Sequence, residues 1–189
     1  MVGADRAGEG PGPGWIPALS ERLFAKLQSA DLPFLVGVSM LSLHREELRD
    51  LLFNGRGSMK IRSGAEGAEV PDLSWHVAES SEQVLDFLHG GLASIQVACT
   101  NMEISSSEVS SIFQVVVATS QGDCISTAIL RFVDLANSDR ATNPARRIKS
   151  LDALGEVVTV CCRSGSFVPY RNSRLTHLLQ PSLGGSVSL

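Results

Sequence analysis

Residues 124–140 read CISTAILRFVDLANSDR and hold the strongest local feature of the sequence. The first ten residues of this stretch are mostly apolar or β-branched, which predicts a strand from Cys124 to Val133. The strand ends at Asp134, and small and polar residues follow it. In open α/β sheets ligands bind at such strand ends, and an Asp there can hold the magnesium ion of a nucleoside triphosphatase. The same local pattern also occurs where an Asp only caps a helix.

The neighbouring segments predict further strands. Residues 111–119 form a strand that the polar residues 120–123 join to the first one through a tight hairpin. The apolar, partly alternating stretch Phe34–Leu43 predicts another strand. Residues 54–71 carry several glycines and predict a loop or a hairpin.

Helical patterns lie between and after these strands, so the sequence predicts an α/β fold. Five helices are predicted. The first lies between Pro17 and Pro33, the second is short and covers 44–53 with Leu48, Leu51 and Leu52 inward, and the third begins at the capping box Ser80–Gln83 and ends or breaks at Gly90-Gly91. The fourth places Ile148, Leu151, Gly155, Val158 and Cys162 on a single face, and the fifth is a short helix that Asn172 or Ser173 caps and Pro181 stops.

Composition narrows the class of protein. Hydrophobic residues make up 43% and charged residues 19% of the chain, which is typical of a globular domain. No apolar run reaches the ~18 residues of a membrane span, and the Gly/Pro-rich leader 1–13 is no secretory signal. The cysteines and histidines show no metal-binding spacing. Net charge is −4, yet residues 140–177 hold seven basic and two acidic residues, which indicates an anionic partner or an ordinary solvated face.

Four longer stretches resemble motifs of the kinesin motor domain family. LRFVDLANSDR (130–140) is similar to the switch II pattern L-x-x-V-D-L-A-G-S-E-R. KSLDALGEVV (149–158) resembles K-S-L-x-A-L-G-x-V-I, and VPYRNSRLTHLLQPSLGG (168–185) resembles V-P-Y-R-[DN]-S-K-L-T-x-L-L-Q-D-S-L-G-G. TNMEISSSEVSSIF (100–113) aligns with the switch I pattern T-N-M-N-x-x-S-S-R-S-H-x-I-F.

Further matches toward the N-terminus follow the order of the family. GWIPALSERLF resembles G-I-I-P-x-x-x-x-x-L-F, and FLVGVSMLSLHREELRDLL resembles V-x-V-S-x-L-E-I-Y-N-E-x-x-x-D-L-L. The resemblance implies a partial motor-like domain over 14–189: a mixed sheet flanked by helices and incomplete at both ends. It also implies ATP and Mg²⁺ as cofactors, microtubules (tubulin) as the partner rather than nucleic acid or membrane, and a place in the cytoplasm and cytoskeleton.

Departures from the family pattern concern the nucleotide. The phosphate-binding loop G-x-x-x-x-G-K-[ST] does not occur in these 189 residues. In the switch I stretch Glu108 replaces Arg, Val109 replaces Ser and Ser110 replaces His. We therefore expect no intact catalytic residue and no ATP bound by this chain, which leaves its status as an enzyme open. The remnants of the nucleotide and magnesium site are Ser106, Ser107, Asp134, Asn137 (Gly in the family) and Asp139 (Glu in the family).

The resemblance also implies a microtubule-facing region over 140–180. Its expected contact residues are Arg140, Arg146, Arg147, Lys149, Tyr170, Arg171, Arg174 and His177. Three hypotheses follow: a kinesin-like microtubule-binding protein that has lost ATP hydrolysis, a fragment or isoform of an active microtubule motor ATPase, or a non-motor interaction module or non-functional product.

Overall fold

The structure of the chain is a computed structural model that describes residues 14–53, 57–64, 67–137, 148–163 and 167–184. The predicted leader 1–13 lies outside these ranges. The elements are α1 (Trp15–Ser29), β1 (Phe34–His44), β2 (Glu47–Asp50), β3 (Arg62–Gly64), β4 (Gly67–Glu69), β5 (His76–Val77), α2 (Ser81–Met102), β6 (Ser110–Gln121), β7 (Cys124–Asp134), α3 (Lys149–Cys161) and α4 (Arg174–Leu183). None of the helices in the described ranges is long and apolar enough to cross a membrane.

The main sheet has the strand order β2-β1-β6-β7, with β5 also paired to β1. All its pairs are antiparallel. The predicted strands β1, β6 and β7 are confirmed, and the hairpin between β6 and β7 turns at Gly122, whose φ is 61°. Strands β3 and β4 form a separate hairpin within the stretch predicted as loop or hairpin. Among the described residues β7 pairs only with β6, and its Ile125 is 76% exposed.

Two apolar clusters cover the two faces of the sheet, as expected for a sheet flanked by helices. On one face, α1 and α2 contribute Ile16, Phe24, Val84 and Leu88, which pack with Phe113 of β6. On the other face, Leu175, Leu178 and Leu179 of α4 pack with Leu41 and Ile112. Alternate side chains of β1 and β6 point to opposite faces, so each strand supplies both clusters. The mixed α/β fold class is confirmed.

The helix predicted over 44–53 is wrong, because this segment forms a hairpin. Arg45 and Glu46 have φ angles of 48° and 65°, and His44 pairs with Glu47. Two consecutive residues with positive φ are typical of the two-residue loops whose twist suits adjacent antiparallel strands. Leu48 and Leu51 are buried as predicted. Pairing with β1 therefore outweighs the helical propensity of the Glu, Leu and Arg residues.

The break predicted at Gly90-Gly91 is also wrong, since α2 continues through both glycines. A Cβ on Gly91 would collide with the sulfur of Met40, whereas a Cβ on Gly90 would meet nothing within 4 Å. Gly91 thus lets the helix approach β1 closely. The predicted cap is confirmed: the Ser80 hydroxyl accepts a hydrogen bond from the Gln83 amide at 3.2 Å.

Two details of the C-terminal helices differ from the predictions. The buried residues of α3 are Ser150, Ala153 and Val157, whereas Val158 on the predicted apolar face is 48% exposed. The buried face of α3 therefore runs through Val157, one residue before Val158. Pro181 lies inside α4 and does not stop it. In the last turn a proline removes only one backbone hydrogen bond, and the Gly184 amide closes that turn on the Gln180 carbonyl at 2.7 Å.

Candidate functional site

The switch I-like segment follows the end of α2. Glu103 ends the helix in the left-handed conformation with a φ of 53°. The chain then forms a single 3₁₀ turn over Ser106–Glu108. The hydroxyl oxygens of Ser105 and Ser107 lie 2.7 Å apart, and the Ser105 oxygen also accepts from the Ser107 amide at 3.3 Å. Ser106 and Ser107 are exposed. The turn is therefore held by its own serines.

This turn is joined directly to the chain after β7. The Asn137 amide donates to the Ser107 carbonyl at 2.7 Å, and the Ala136 amide donates to the buried Ser110 hydroxyl at 2.9 Å. We call residues 105–110 and 134–137 the switch cluster. It brings together four of the predicted nucleotide-site residues: Ser106, Ser107, Asp134 and Asn137. The fifth, Asp139, lies outside the described residues.

Charge in the switch cluster is negative. The Glu108 carboxylate lies 3.8 Å from Nε2 of His44, a ring nitrogen that is buried without a hydrogen-bond partner among the described residues. Asp134 at the end of β7 adds a second, exposed carboxylate. Nowhere in the described ranges do three or more His, Cys, Asp or Glu residues converge as a metal site.

These residues do not fit Mg²⁺ and ATP. A phosphate site needs positive charge or converging amide donors. Here the Ser105 and Ser107 hydroxyls contact each other, the Asn137 amide is bound to a carbonyl, and Glu108 stands where the family has a cation. The cluster instead holds two segments of backbone together.

A second group of predicted residues lies at the start of α4. Ser173 caps this helix, since its hydroxyl oxygen accepts from the Leu175 amide at 3.1 Å. The same hydroxyl donates to Oε1 of Glu46 at 2.9 Å, and the Arg174 amide donates to Oε2 of Glu46 at 2.7 Å. Glu46 lies in the turn between β1 and β2. Sequence reasoning missed its role, although it is the Glu of the matched N-E pattern, because the turn was taken for a helix.

The two arginines of this segment have different surroundings. Arg174 is partly buried, and its Nη1 donates to the Met59 carbonyl at 3.3 Å. Arg171 is exposed on a 3₁₀ turn over Tyr170–Asn172, and its Nη2 reaches the Ser63 hydroxyl at 3.5 Å. Within the described part of the chain, no carboxylate lies within 4.0 Å of the Arg171 guanidinium. Arg171 is therefore the cation of this segment that is open to a partner.

Tyr170 and His177 flank the arginines. The Tyr170 hydroxyl lies 3.5 Å from the Cys161 sulfur. That hydrogen bond raises the pKa of Tyr170, and burial adds to the effect. Burial lowers the pKa of His177, and the positive charge of Arg171 lowers it further. Both effects disfavour the cationic form of His177.

The remaining predicted contact residues are only partly described. Lys149 is exposed at the first turn of α3. The side chain of Asn172 connects its turn to this helix, because its Nδ2 donates to Oε2 of Glu156 at 3.1 Å. The predicted contacts Arg140, Arg146 and Arg147 lie outside the described residues. The structure therefore brings together Tyr170, Arg171, Arg174 and His177, with Lys149 on a helix that packs against α4.

Comparisons with known proteins agree on one family. A family model described as "Kinesin motor domain" matches residues 1–189. Kinesin-like protein KIN-7L of Oryza sativa subsp. japonica is 34% identical over 195 residues, covering 92% of this chain and 30% of that protein. Kinesin-like protein Klp68D of Drosophila melanogaster is 33% identical over 186 residues, covering 92% of this chain and 24% of that protein.

A solved structure gives the same result at the level of fold. The structure of a fast kinesin superposes with a TM-score of 0.82 at 28% identity, and the match covers 95% of this chain and 55% of that chain. The chain thus spans less than a third of the length of the two relatives and about half of the solved chain.

Proposed function

Because this chain belongs to the kinesin motor domain family, we propose that it contacts microtubules through the start of α4 and that these 189 residues alone hydrolyse no ATP. The family consists of ATP-driven microtubule motors. The neighbouring fast kinesin is described by its ATPase mechanism and its interactions with microtubules. In this proposal the partner is the microtubule, the location is the cytoplasm and cytoskeleton, and the motor-like domain is residues 14–189. ATP hydrolysis, the reaction of the family, is absent from these residues.

The observation that carries the microtubule contact is the surface formed by Tyr170–His177. Arg171 is exposed and has no described carboxylate partner, while Glu46 accepts hydrogen bonds from the Ser173 hydroxyl and the Arg174 amide nearby. A guanidinium on a fixed turn suits an acidic surface, since arginine forms bidentate pairs with carboxylates. Tubulin presents such an acidic surface. Lys149, together with Arg140, Arg146 and Arg147, would extend the basic character of this region.

The loss of ATP hydrolysis is proposed from the switch cluster. Glu108 places a carboxylate where an anionic phosphate would lie, and like charges repel. Asn137 has a side chain where the family has glycine, which restricts the backbone. In this proposal Ser106, Ser107, Asp134, Asn137 and Asp139 are remnants of the ancestral ATP and magnesium site, and the cluster now serves the fold.

An active motor remains the alternative function. The chain spans 30% of the length of KIN-7L, so it can be a piece of a longer motor whose other segments bind nucleotide. This alternative requires ATP hydrolysis that microtubules stimulate. A non-motor module that uses neither nucleotide nor microtubules is the third hypothesis.

Co-sedimentation with stabilised microtubules over a salt series, with phosphate release measured in the same samples, separates the three. Our proposal predicts binding that weakens steeply as salt is raised, because the contact is electrostatic, and no phosphate release above the microtubule background. Stimulated phosphate release would support the motor. An absence of binding even at low salt would support the non-motor module and contradict the proposed contact.

A further inference from the structure

A polar row crosses three strands on the face of the sheet that α4 covers. In register, Ser39 of β1 lies opposite Gln114 of β6, and Gln114 lies opposite Arg131 of β7. Nε of Arg131 donates to Oε1 of Gln114 at 3.0 Å, and Nε2 of Gln114 donates to Ser39 at 3.2 Å. Ser39 and Gln114 are buried. Burying a polar group costs free energy unless it is hydrogen-bonded, and here Gln114 is bonded to both Ser39 and Arg131.

The row ends in a cavity of about 270 Å³ between the sheet, the β3–β4 hairpin and α4. The walls are mainly apolar, formed by residues such as Leu41, Val70, Leu73, Ile112 and Leu178, and Trp75 stands at one side. Gln114 and Arg131 are the polar groups of the floor. Apolar walls with a few placed polar groups are typical of small-molecule sites, and this volume is close to the lower end of their range.

Arg131 supplies an uncompensated positive charge. Two of its five N–H donors are used, by Gln114 at 3.0 Å and by Ser182 at 3.4 Å. No carboxylate of the described residues lies within 4.0 Å of it. Glu69 also lines the cavity, but its carboxylate lies against Gly64 of β3. Arg131 is partly buried, and this burial lowers its pKa because it disfavours the charged form. An anion would relieve this cost.

We propose that this cavity binds a small organic carboxylate with an apolar or aromatic body. The carboxylate pairs with the free edge of the Arg131 guanidinium, which Gln114 and Ser39 hold in place. The apolar body packs on Leu41, Ile112 and Leu178 and against the ring of Trp75. The site is independent of the proposed microtubule contact, because it uses neither Arg171 nor the switch cluster.

Tryptophan fluorescence tests this directly. The chain has two tryptophans, and Trp15 is 81% exposed outside the cavity, so Trp15→Phe leaves Trp75 as the sole reporter. The probe is 3-phenylpropionate, and its uncharged analogue 3-phenylpropionamide is the matched control. We expect a saturable change with a dissociation constant of about 1 mM or tighter for the carboxylate. The amide is expected to bind about tenfold or more weakly, since it lacks the charge-assisted pair.

Two variants, each made in the Trp15→Phe protein, test whether the positive charge of Arg131 binds the carboxylate. Arg131→Gln should weaken binding of the carboxylate about tenfold or more, so that its affinity equals that of the amide. Gln114→Glu places an internal carboxylate beside Arg131, which competes with the ligand, so it should also weaken binding while the pair keeps the fold intact. Arg22→Gln, which changes an exposed arginine on α1 on the opposite face of the sheet, should change nothing. Circular dichroism confirms that each variant is folded.

The proposal is overturned if the carboxylate and the amide bind equally well, or if folded Gln114→Glu protein binds the carboxylate as tightly as its parent. It is also overturned if the folded parent shows no saturable change with the carboxylate.

Discussion

Oε2 of Glu46 accepts a hydrogen bond from the backbone amide of Arg174 at 2.7 Å. The two residues are 128 positions apart, and the bond ties the turn between β1 and β2 to the first turn of α4. The other carboxylate oxygen accepts from the Ser173 hydroxyl at 2.9 Å. A carboxylate at a helix N-terminus also interacts favourably with the helix dipole. Glu46 therefore fixes the helix on which the proposed microtubule contact depends.

Replacing Glu46 should destabilise the protein. Glu46→Ala leaves the partly buried Arg174 amide and Ser173 hydroxyl without this acceptor, which should lower the free energy of unfolding by about 1–3 kcal/mol. Urea denaturation measures this change. Glu47→Ala is the matched control, because Glu47 makes only an exposed contact with Arg49 at 3.6 Å and should change stability by about 0.5 kcal/mol or less. Equal effects of the two substitutions would contradict the role given to Glu46.

The two neighbouring glycines of α2 should respond in opposite directions to alanine. Gly90→Ala should stabilise the chain by about 0.5–1 kcal/mol, because alanine favours helix and nothing lies near the new methyl group. Gly91→Ala should destabilise it by about 1–3 kcal/mol, since the methyl would collide with the buried Met40 side chain. Thermal unfolding of both variants measures the difference. A stabilising Gly91→Ala would show that α2 does not lie so close to β1.

The Ser110 hydroxyl should be needed to hold the switch cluster together. Ser110→Ala leaves the buried Ala136 amide without its acceptor, which should cost about 1–3 kcal/mol. Ser106→Ala, in the same segment but exposed, should cost about 0.5 kcal/mol or less. Hydrogen exchange of the Ala136 amide gives a local readout: we expect it to be slow in the parent and in Ser106→Ala, and faster in Ser110→Ala. Unchanged exchange in Ser110→Ala would contradict the bond.

His177 should titrate below its ordinary pKa of 6.5, because burial and then the charge of Arg171 disfavour its cationic form. A histidine whose pKa is depressed by folding contributes stability that is present above 6.5 and is lost as pH falls through the folded value. Arg171→Gln removes one of the two causes, so the pKa should rise toward 6.5. NMR titration of the imidazole checks this, with Arg22→Gln on α1 as the control. An unchanged pKa in Arg171→Gln would exclude the influence of that charge.

Strand patterns predicted the sheet well because they depend on local alternation. The strands β1, β6 and β7 were predicted correctly from their apolar and β-branched residues, and the hairpin between β6 and β7 was predicted from its polar turn. The segment 44–53 was wrong because its Glu, Leu and Arg residues favour helix in isolation. Two residues in the left-handed conformation, Arg45 and Glu46, set the hairpin there, and no glycine marks them in the sequence.

Tertiary contacts account for the other errors. The sequence cannot reveal that Gly91 faces the Met40 sulfur, so a pair of glycines was taken for a break. Helical spacing placed Val158 on the apolar face of α3, whereas the buried residues of this helix are Ser150, Ala153 and Val157. For the site, matched motifs pointed to both switch segments and to the start of α4. They could not indicate the bond from Glu46 to Arg174, which joins distant parts of the chain.

The proposed microtubule contact is electrostatic and needs no nucleotide. The most direct measurement is microtubule co-sedimentation at low salt of the parent chain, Arg171→Glu and Arg22→Glu, each with and without Mg²⁺ and ATP. Arg22 is a matched exposed arginine on α1, which covers the opposite face of the sheet from α4. We predict that Arg171→Glu weakens binding about fivefold to tenfold, that Arg22→Glu binds like the parent, and that nucleotide changes neither. Equal binding by the two variants, or release of the parent chain by ATP, would contradict the account.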